Sequence, residues 1–146
     1  MVLSSELGIV TEDIDDLIAE IGKNKVAIKN LIAAKDKLIQ NIDKTMRQRA
    51  RRGDMFCEAQ MLDYREFSEF YEAESAILSS YIARLKKKMS QSRLRQEVMK
   101  PHADLATLHK GLEAIVTLQQ RAINVLTDMV NVAGRTLIVL TETKSP

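Results

Sequence analysis

Residues 47–54 read RQRARRGD, and this stretch decides how the chain folds. Basic side chains favour the C-terminal end of a helix, where the helix dipole is negative. Gly53 suits the left-handed conformation that often follows a last helical turn, and Asp54 can cap the start of another helix. The stretch therefore predicts that a long helix ends at Arg52 and that the chain doubles back into a second helix from about Asp54.

The charges on either side of this break alternate in sign. Residues 1–22 carry six acids and no bases, and residues 23–52 carry ten bases and two acids. Residues 53–74 carry seven acids and one base, and residues 84–100 carry seven bases and one acid. An antiparallel hairpin places each block beside one of opposite sign, whereas a parallel pair sets like charges against each other. The pattern favours the antiparallel hairpin.

Apolar residues recur at steps of three, four or seven along two segments, which we call the seams. The first seam comprises Val10, Ile14, Leu17, Ile21, Ile28, Leu31, Leu38 and Ile42. The second comprises Leu105, Leu108, Leu112, Ile115, Ala122, Leu126, Met129, Ala133 and Leu140. A repeat of 3.5 residues is typical of coiled-coil packing. Thr11, followed by a run of acids, is the expected N-cap of the first helix.

Lys100-Pro101 is a second predicted break, because proline disfavours helix at the residue before it. We expect one domain over residues 1–146, with helices at about 11–52, 54–99 and 102–141 and a flexible tail at 142–146. Residues 1–10 are either a lead-in helix or a loose arm. The predicted fold is all-α: an up-down-up bundle of three long antiparallel helices with coiled-coil character, completed by oligomerisation or by a partner helix.

Motifs for catalysis or metal binding are missing from the sequence. His102 and His109 are seven residues apart, whereas zinc-binding histidines on a helix sit four apart. The single cysteine, Cys57, excludes an internal disulfide, and we expect it to be a buried or half-buried small side chain. The sequence contains no run of about 18 apolar residues, so it predicts no membrane span. We therefore expect a non-enzymatic protein with no cofactor, no metal and no transmembrane segment, in the cytoplasm or another reducing intracellular compartment.

The third predicted helix carries more apolar residues than one seam requires, and such a helix is usually central in a bundle or an oligomer. We therefore expect association with another helical protein or with a second copy of the chain. The predicted partner-binding residues are Leu118, Leu126, Val130, Val132, Ile138 and Val139.

A second predicted surface is basic and comprises Arg47, Arg49, Arg51 and Arg52. Clustered arginines can neutralise phosphates, so nucleic acid or another polyanion is a candidate ligand. Charge matching within the chain is the favoured interpretation, because stacking aromatics and a nucleic-acid motif are missing.

Three function hypotheses remain open at the level of sequence. The leading one is a helical adaptor or structural subunit of a larger protein assembly, acting through helix docking. The alternatives are a secretion-type chaperone that holds an amphipathic client segment and a basic module that binds nucleic acid or another polyanion. The pattern of long helices with charge blocks is similar to small export chaperones, tethering-complex subunits and coiled-coil adaptors.

Overall fold

A computed structural model describes the backbone of residues 2–98 and 105–142 and the side chains of residues 12–91 and 105–142. Within these ranges 95% of the residues are helical and no strand occurs. Three helices follow one another: α1 (Val2–Arg52), α2 (Glu58–Val98) and α3 (Leu105–Thr141). Helix α3 packs against both α1 and α2. The prediction of an all-α fold built from three long helices is confirmed.

Two predicted helix starts are wrong. Helix α1 begins at Val2 rather than at Thr11, because threonine and aspartate each cost less than about 0.7 kcal/mol in a helix interior, too little to end a helix. Helix α2 begins at Glu58 rather than at Asp54, because the backbone of Asp54 is used to end α1. The predicted ends at Arg52 and Thr141 are confirmed. The Lys100-Pro101 break, the helix start at His102 and residues 143–146 lie outside the described residues.

The second seam is buried along most of α3. Every seam position from Leu112 to Leu140 is buried, including the polar residues Gln119 and Thr136 that complete the repeat. The first seam is less enclosed: Ile14 and Ile42 are buried, as is Asn24, which fills a gap in the repeat, and the other described members are half-buried. Helix α3 therefore contributes most of the buried side chains.

The chain forms two compact units, and all three helices contribute to each. Unit 1 consists of Met1–Ile28 and Ser79–Ile123, and unit 2 consists of Lys29–Leu78 and Asn124–Pro146. Among the described residues, the buried apolar side chains of unit 1 are Ile14, Leu85, Leu112, Ile115, Val116, Leu118 and Ala122. The buried side chains of unit 2 include Ile42 and Phe67 together with Leu126, Met129, Ala133 and Leu140.

Two polar side chains lie in the core of unit 1. Asn24 of α1 is 9% exposed and Gln119 of α3 is 2% exposed. The Asn24 Nδ2 donates to Gln119 Oε1 at 3.2 Å, and Gln119 Nε2 donates to the carbonyl of Ile21 at 3.1 Å. Buried polar groups require such partners, so this pair favours one axial register of α1 against α3.

Helix directions in unit 2 follow from its contacts. The turn at residues 53–57 reverses the chain, and Arg49 of α1 contacts Gln60 of α2 at this end. The Lys35 ammonium of α1 lies 6.0 Å from the ring centre of Tyr71, further along α2, so these two helices run antiparallel. The C-terminal end of α3 meets the same turn through Leu140. In this unit α3 therefore runs antiparallel to α2 and in the same direction as α1.

Ion pairs between helices, which the charge blocks had suggested, do not occur among the described side chains. The three pairs found there are Lys35–Asp36, Arg47–Asp43 and His109–Glu113, and each joins two residues of the same helix. The opposite charges of these blocks therefore do not pair directly in the part of the chain that the structure describes.

Helix α3 is long and apolar enough, by length and composition alone, to cross a membrane, since one 18-residue window has a mean hydropathy of 1.3. Core helices of proteins without any membrane span reach the same value, so composition leaves both interpretations open.

Candidate functional site

The end of α1 is closed by backbone hydrogen bonds around Gly53. The Gly53 amide donates to the carbonyl of Ala50 at 3.2 Å, and the Asp54 amide donates to the carbonyl of Arg49 at 3.0 Å. This pair of bonds is a Schellman motif, and it requires a left-handed residue after the last helical turn. Gly53 supplies that conformation with φ of 71°, so the prediction for this residue is confirmed.

The start of α2 is capped by a side chain from its own first turn. Gln60, the third helical residue, accepts a hydrogen bond from the Cys57 amide at 3.1 Å through Oε1. The Met61 amide donates to the Cys57 carbonyl at 3.0 Å, which makes Cys57 the N-cap residue. The arrangement is half of a capping box, with cysteine in the place usually taken by serine or threonine.

Gln60 and Arg49 also hold the C-terminal end of α3. Gln60 Nε2 donates to the carbonyls of Val139 at 2.9 Å and Glu142 at 3.0 Å. The last carbonyls of a helix have no partner within it, so side chains from other helices can satisfy them. Gln60 is 7% exposed, and its amide thus serves two helix ends in a site largely closed to water.

The Arg49 guanidinium uses its planar fork of donors to join three segments. Nη1 donates to the Leu140 carbonyl at 3.2 Å and to Gln60 Oε1 at 3.4 Å, and Nη2 donates to the Met55 carbonyl at 3.0 Å. The guanidinium carbon lies 4.0 Å from the ring centre of Phe56, within the range of a cation–π contact. We call Arg49 and Gln60, with the carbonyls they bind, the capping network.

A pocket of about 410 Å³ lies beside the capping network. Its lining includes Arg52, Cys57 and Glu142, and no histidine. Cys57 is exposed, so the expectation of a buried or half-buried thiol is wrong; as the N-cap it precedes the helix and lies in the turn. Across the described residues no group of three or more histidine, cysteine or acidic side chains could hold a metal ion.

Apolar side chains are also exposed at this turn and in the first turns of α2. Met55 is 89% exposed, Leu62 53% and Met61 39%. Phe56, Met61 and Leu62 line a depression of about 400 Å³, with Glu58 and Arg65 also in its lining. We call Met55, Phe56, Met61 and Leu62 the hairpin-end patch. Single exposed apolar residues are common, whereas three within eight residues, beside the half-buried Phe56, form the kind of cluster that can mark an interaction site.

The six predicted partner-binding residues do not share one exposed face. Leu118 and Leu126 are 3% and 0% exposed, so they are core residues of the chain itself. Val130, Val132 and Val139 are half-buried, and Val132 packs against the core of unit 2. Ile138 is 60% exposed, and of the six it alone is prominent on the surface. Binding through this set stays a prediction, but Leu118 and Leu126 are inaccessible in this fold.

The four predicted polyanion-binding arginines fall into two groups. Arg49 is half-buried and turned inward, with its donors used by the capping network. Arg51 and Arg52 are exposed, and Arg47 is 73% exposed and lies 3.2 Å from the Asp43 carboxylate. Three of the four therefore remain accessible to a polyanion, and the prediction that they bind one stays untested.

Gln60 and the hairpin-end patch are the site features that sequence reasoning missed. The spacing Cys57-x-x-Gln60 resembles a capping box, and this signal could have located the true start of α2. Met55 and Phe56 then fall in the turn rather than on a helix, where no seam covers them.

Comparison with known proteins identifies no relative. No protein-family model matches the chain, and no curated protein and no solved structure shows significant similarity to it.

Proposed function

We propose that this chain is a non-enzymatic interaction protein, an adaptor or structural subunit of a larger assembly, which docks a helix of another protein on the hairpin-end patch. The exposure of Met55, Met61 and Leu62 beside Phe56 is the observation that carries the proposal. Methionine is unbranched and flexible, so a methionine-rich surface adapts to the apolar face of a helix. Glu58 and Arg65, in the lining of the same depression, offer charges of both signs that can fix the orientation of the partner.

The capping network supports this proposal because it holds the patch in place. Arg49 binds the Met55 carbonyl and stacks on Phe56, and Gln60 lies one residue before Met61. A surface fixed before binding loses less conformational freedom when the partner arrives. The turn can therefore present its apolar side chains without being ordered by the partner.

Coiled-coil packing and association remain part of the proposal. Buried residues recur at alternating steps of three and four from Leu112 to Leu140, and this repeat supports coiled-coil packing of α3. The exposure of Ile138 and of the hairpin-end patch supports association with a further helix.

We also propose that α3 is a core helix and that the chain has no transmembrane segment. Among the exposed positions of α3, Ala106 and Ile138 are the apolar ones, and the rest are polar or charged. A helix facing lipid presents apolar residues outward, which is the reverse pattern. Recovery of the chain in the vesicle fraction after flotation with neutral liposomes would contradict this interpretation. The exposed free thiol of Cys57 supports a reducing compartment such as the cytoplasm.

Cys57 provides a direct test of docking at the patch. It is the only cysteine of the chain and is exposed beside Met55 and Phe56, so a photo-cross-linker attached to its thiol reports on what binds there. In extract from the native source we expect the labelled chain to capture a defined partner, identified by mass spectrometry and then reconstituted with purified protein.

The control variants decide whether the capture depends on the patch. Met55→Gln with Leu62→Gln removes the two most exposed apolar side chains of the patch and should abolish cross-linking, whereas Ile77→Gln changes an exposed apolar residue further along α2 and should leave it intact. Equal capture by the double variant contradicts the proposal. A partner that is unstable when purified alone would favour the chaperone alternative over a permanent subunit.

Polyanion binding is a second candidate function, favoured by the exposure of Arg47, Arg51 and Arg52. Phosphate binding releases counterions, so retention on a heparin column should fall steeply with salt. Replacing these three arginines with glutamine should remove the retention, whereas the same change at Lys37, Lys44 and Arg65 should not. Equal retention of both triple variants would exclude a specific arginine site.

A further inference from the structure

Unit 1 carries two exposed strips of opposite charge on different helices. The acidic strip consists of Glu12, Asp13, Asp15, Asp16 and Glu20 of α1, and the basic strip consists of Arg84, Lys86, Lys87 and Lys88 of α2. Glu20 and Lys88 are half-buried, and the other members are exposed. Neither strip forms an ion pair with any side chain that the structure describes. Because most members of both strips are exposed, a charged partner can reach them.

Apolar residues are exposed beside the acidic strip. Ile18 is 47% exposed and Val26 is 59% exposed, and Gly22 lies midway between them at a spacing of four residues. Residues four apart share one face of a helix. A Cβ placed on Gly22 would meet nothing within 4 Å, so a shallow gap lies open between the two apolar side chains. Of the acidic strip, Asp15 lies on this face because it is seven residues before Gly22, and the other acids lie further round the same helix.

We propose that a second copy of this chain covers this face, with the acidic strip of each copy against the basic strip of the other. A two-fold interface uses the same surface on both partners, so each surface must be complementary to itself. One compact unit that bears both an acidic and a basic strip meets this condition. A polyanion, or a partner of one charge sign, would leave one strip unmatched. The hairpin-end patch lies in unit 2, so this proposal does not depend on the function proposed above.

Sedimentation analysis of the purified full chain, over a range of concentrations, provides the first test. We expect a dimer in low salt that dissociates in about 1 M NaCl, where the screening length falls to about 3 Å. A monomer at every concentration, or a dimer indifferent to salt, overturns the proposal.

Complementary charge reversal separates pairing between copies from pairing within one copy. One variant carries Asp15→Lys and Asp16→Lys, and the other carries Lys86→Glu and Lys87→Glu. Each alone should dimerise at least about tenfold more weakly, because like strips then meet at both contacts. An equimolar mixture of the two should dimerise again, since every strip now meets one of opposite charge.

A mixture that stays monomeric overturns the proposal, since charges paired within a chain cannot be rescued by a second copy. Unchanged dimerisation of either variant overturns it as well. Lys37→Glu with Lys44→Glu, a matched reversal in unit 2, should leave dimerisation unchanged. Circular dichroism checks that each variant remains helical. If a charge variant unfolds, Ile18→Asp replaces it as the test, because it changes one exposed side chain. This variant should dimerise at least about tenfold more weakly than the wild-type chain, and an unchanged dimerisation affinity contradicts the interface.

Discussion

Gly53 sets the geometry of the turn between α1 and α2. Its φ of 71° lies in the left-handed region, which costs a residue with a Cβ about 1–2 kcal/mol. We expect Gly53→Ala to lower the free energy of unfolding by about that amount, measured by urea denaturation. Gly111→Ala is the matched control: it lies inside α3 with no atom within 4 Å of the added Cβ, so alanine should raise stability by about 0.5–1 kcal/mol. Equal effects at both positions would contradict the strained turn.

Gln60 is the residue whose loss should disturb the most helix ends. Gln60→Ala removes the cap of the Cys57 amide and both bonds to carbonyls at the end of α3. We expect a loss of about 1–3 kcal/mol in the free energy of unfolding, because partners in a largely buried site are left unpaired. Hydrogen exchange should show faster opening of the last turn of α3. Gln48→Ala is the control. Gln48 is exposed and lines the pocket beside the capping network, and its replacement should change the free energy of unfolding by less than about 0.5 kcal/mol.

These two residues also mark how far sequence reasoning reaches at the residue scale. The role of Gly53 depends on its own backbone and on the turn before it, so local chemistry predicts it. Gln60 binds carbonyls that lie 79 and 82 residues further along the chain. No local pattern encodes such a contact, because it exists only once α3 has packed against the other helices.

At the scale of the helices, the regularity of the apolar repeat decides how well the sequence predicts which residues are buried. The seam of α3 repeats without interruption, and the structure buries it from Leu112 to Leu140. Helix α2 has no such seam, and two of its large apolar residues, Leu62 and Ile77, are 53% and 42% exposed. The start of α1 was misplaced because a good N-cap residue also fits a helix interior at small cost.

The buried pair of Asn24 and Gln119 gives the prediction that belongs to this scale. We expect Asn24→Leu alone to lower the free energy of unfolding by about 1–3 kcal/mol, because Gln119 Oε1 loses its donor in the core. Adding Gln119→Leu should recover most of this loss, since two apolar side chains can replace a hydrogen-bonded pair. A double-mutant cycle by urea denaturation measures the coupling. Asn131→Leu, at an exposed position of α3, is the control, and additive effects of the two core changes would show that the pair does not interact.

At the scale of the whole molecule, the charge blocks predict the relative direction of α1 and α2 but not which charged side chains pair. The alternating blocks correctly favoured a chain that doubles back at Gly53, and unit 2 shows α1 and α2 antiparallel. The blocks also suggest ion pairs between helices, and none occurs among the described side chains, because long exposed side chains gain little from fixed pairing in water. The candidate site could not be predicted either. The exposure of a side chain depends on which residues of the other helices pack against it, and the pattern of one helix does not show those residues.

The division of α3 into an inner and an outer face yields the last prediction. Leu126 is fully buried, and Leu126→Ala should lower the free energy of unfolding by about 2–5 kcal/mol through lost contacts and a cavity. Ile138 is 60% exposed, and Ile138→Ala should cost less than about 0.5 kcal/mol. Urea denaturation of the purified chain measures both, with circular dichroism as the probe. If Leu126 instead faced a partner, as the sequence suggested, its substitution would weaken association and leave the isolated chain as stable as before. A large loss at Leu126 with none at Ile138 therefore assigns the apolar excess of α3 to its own core.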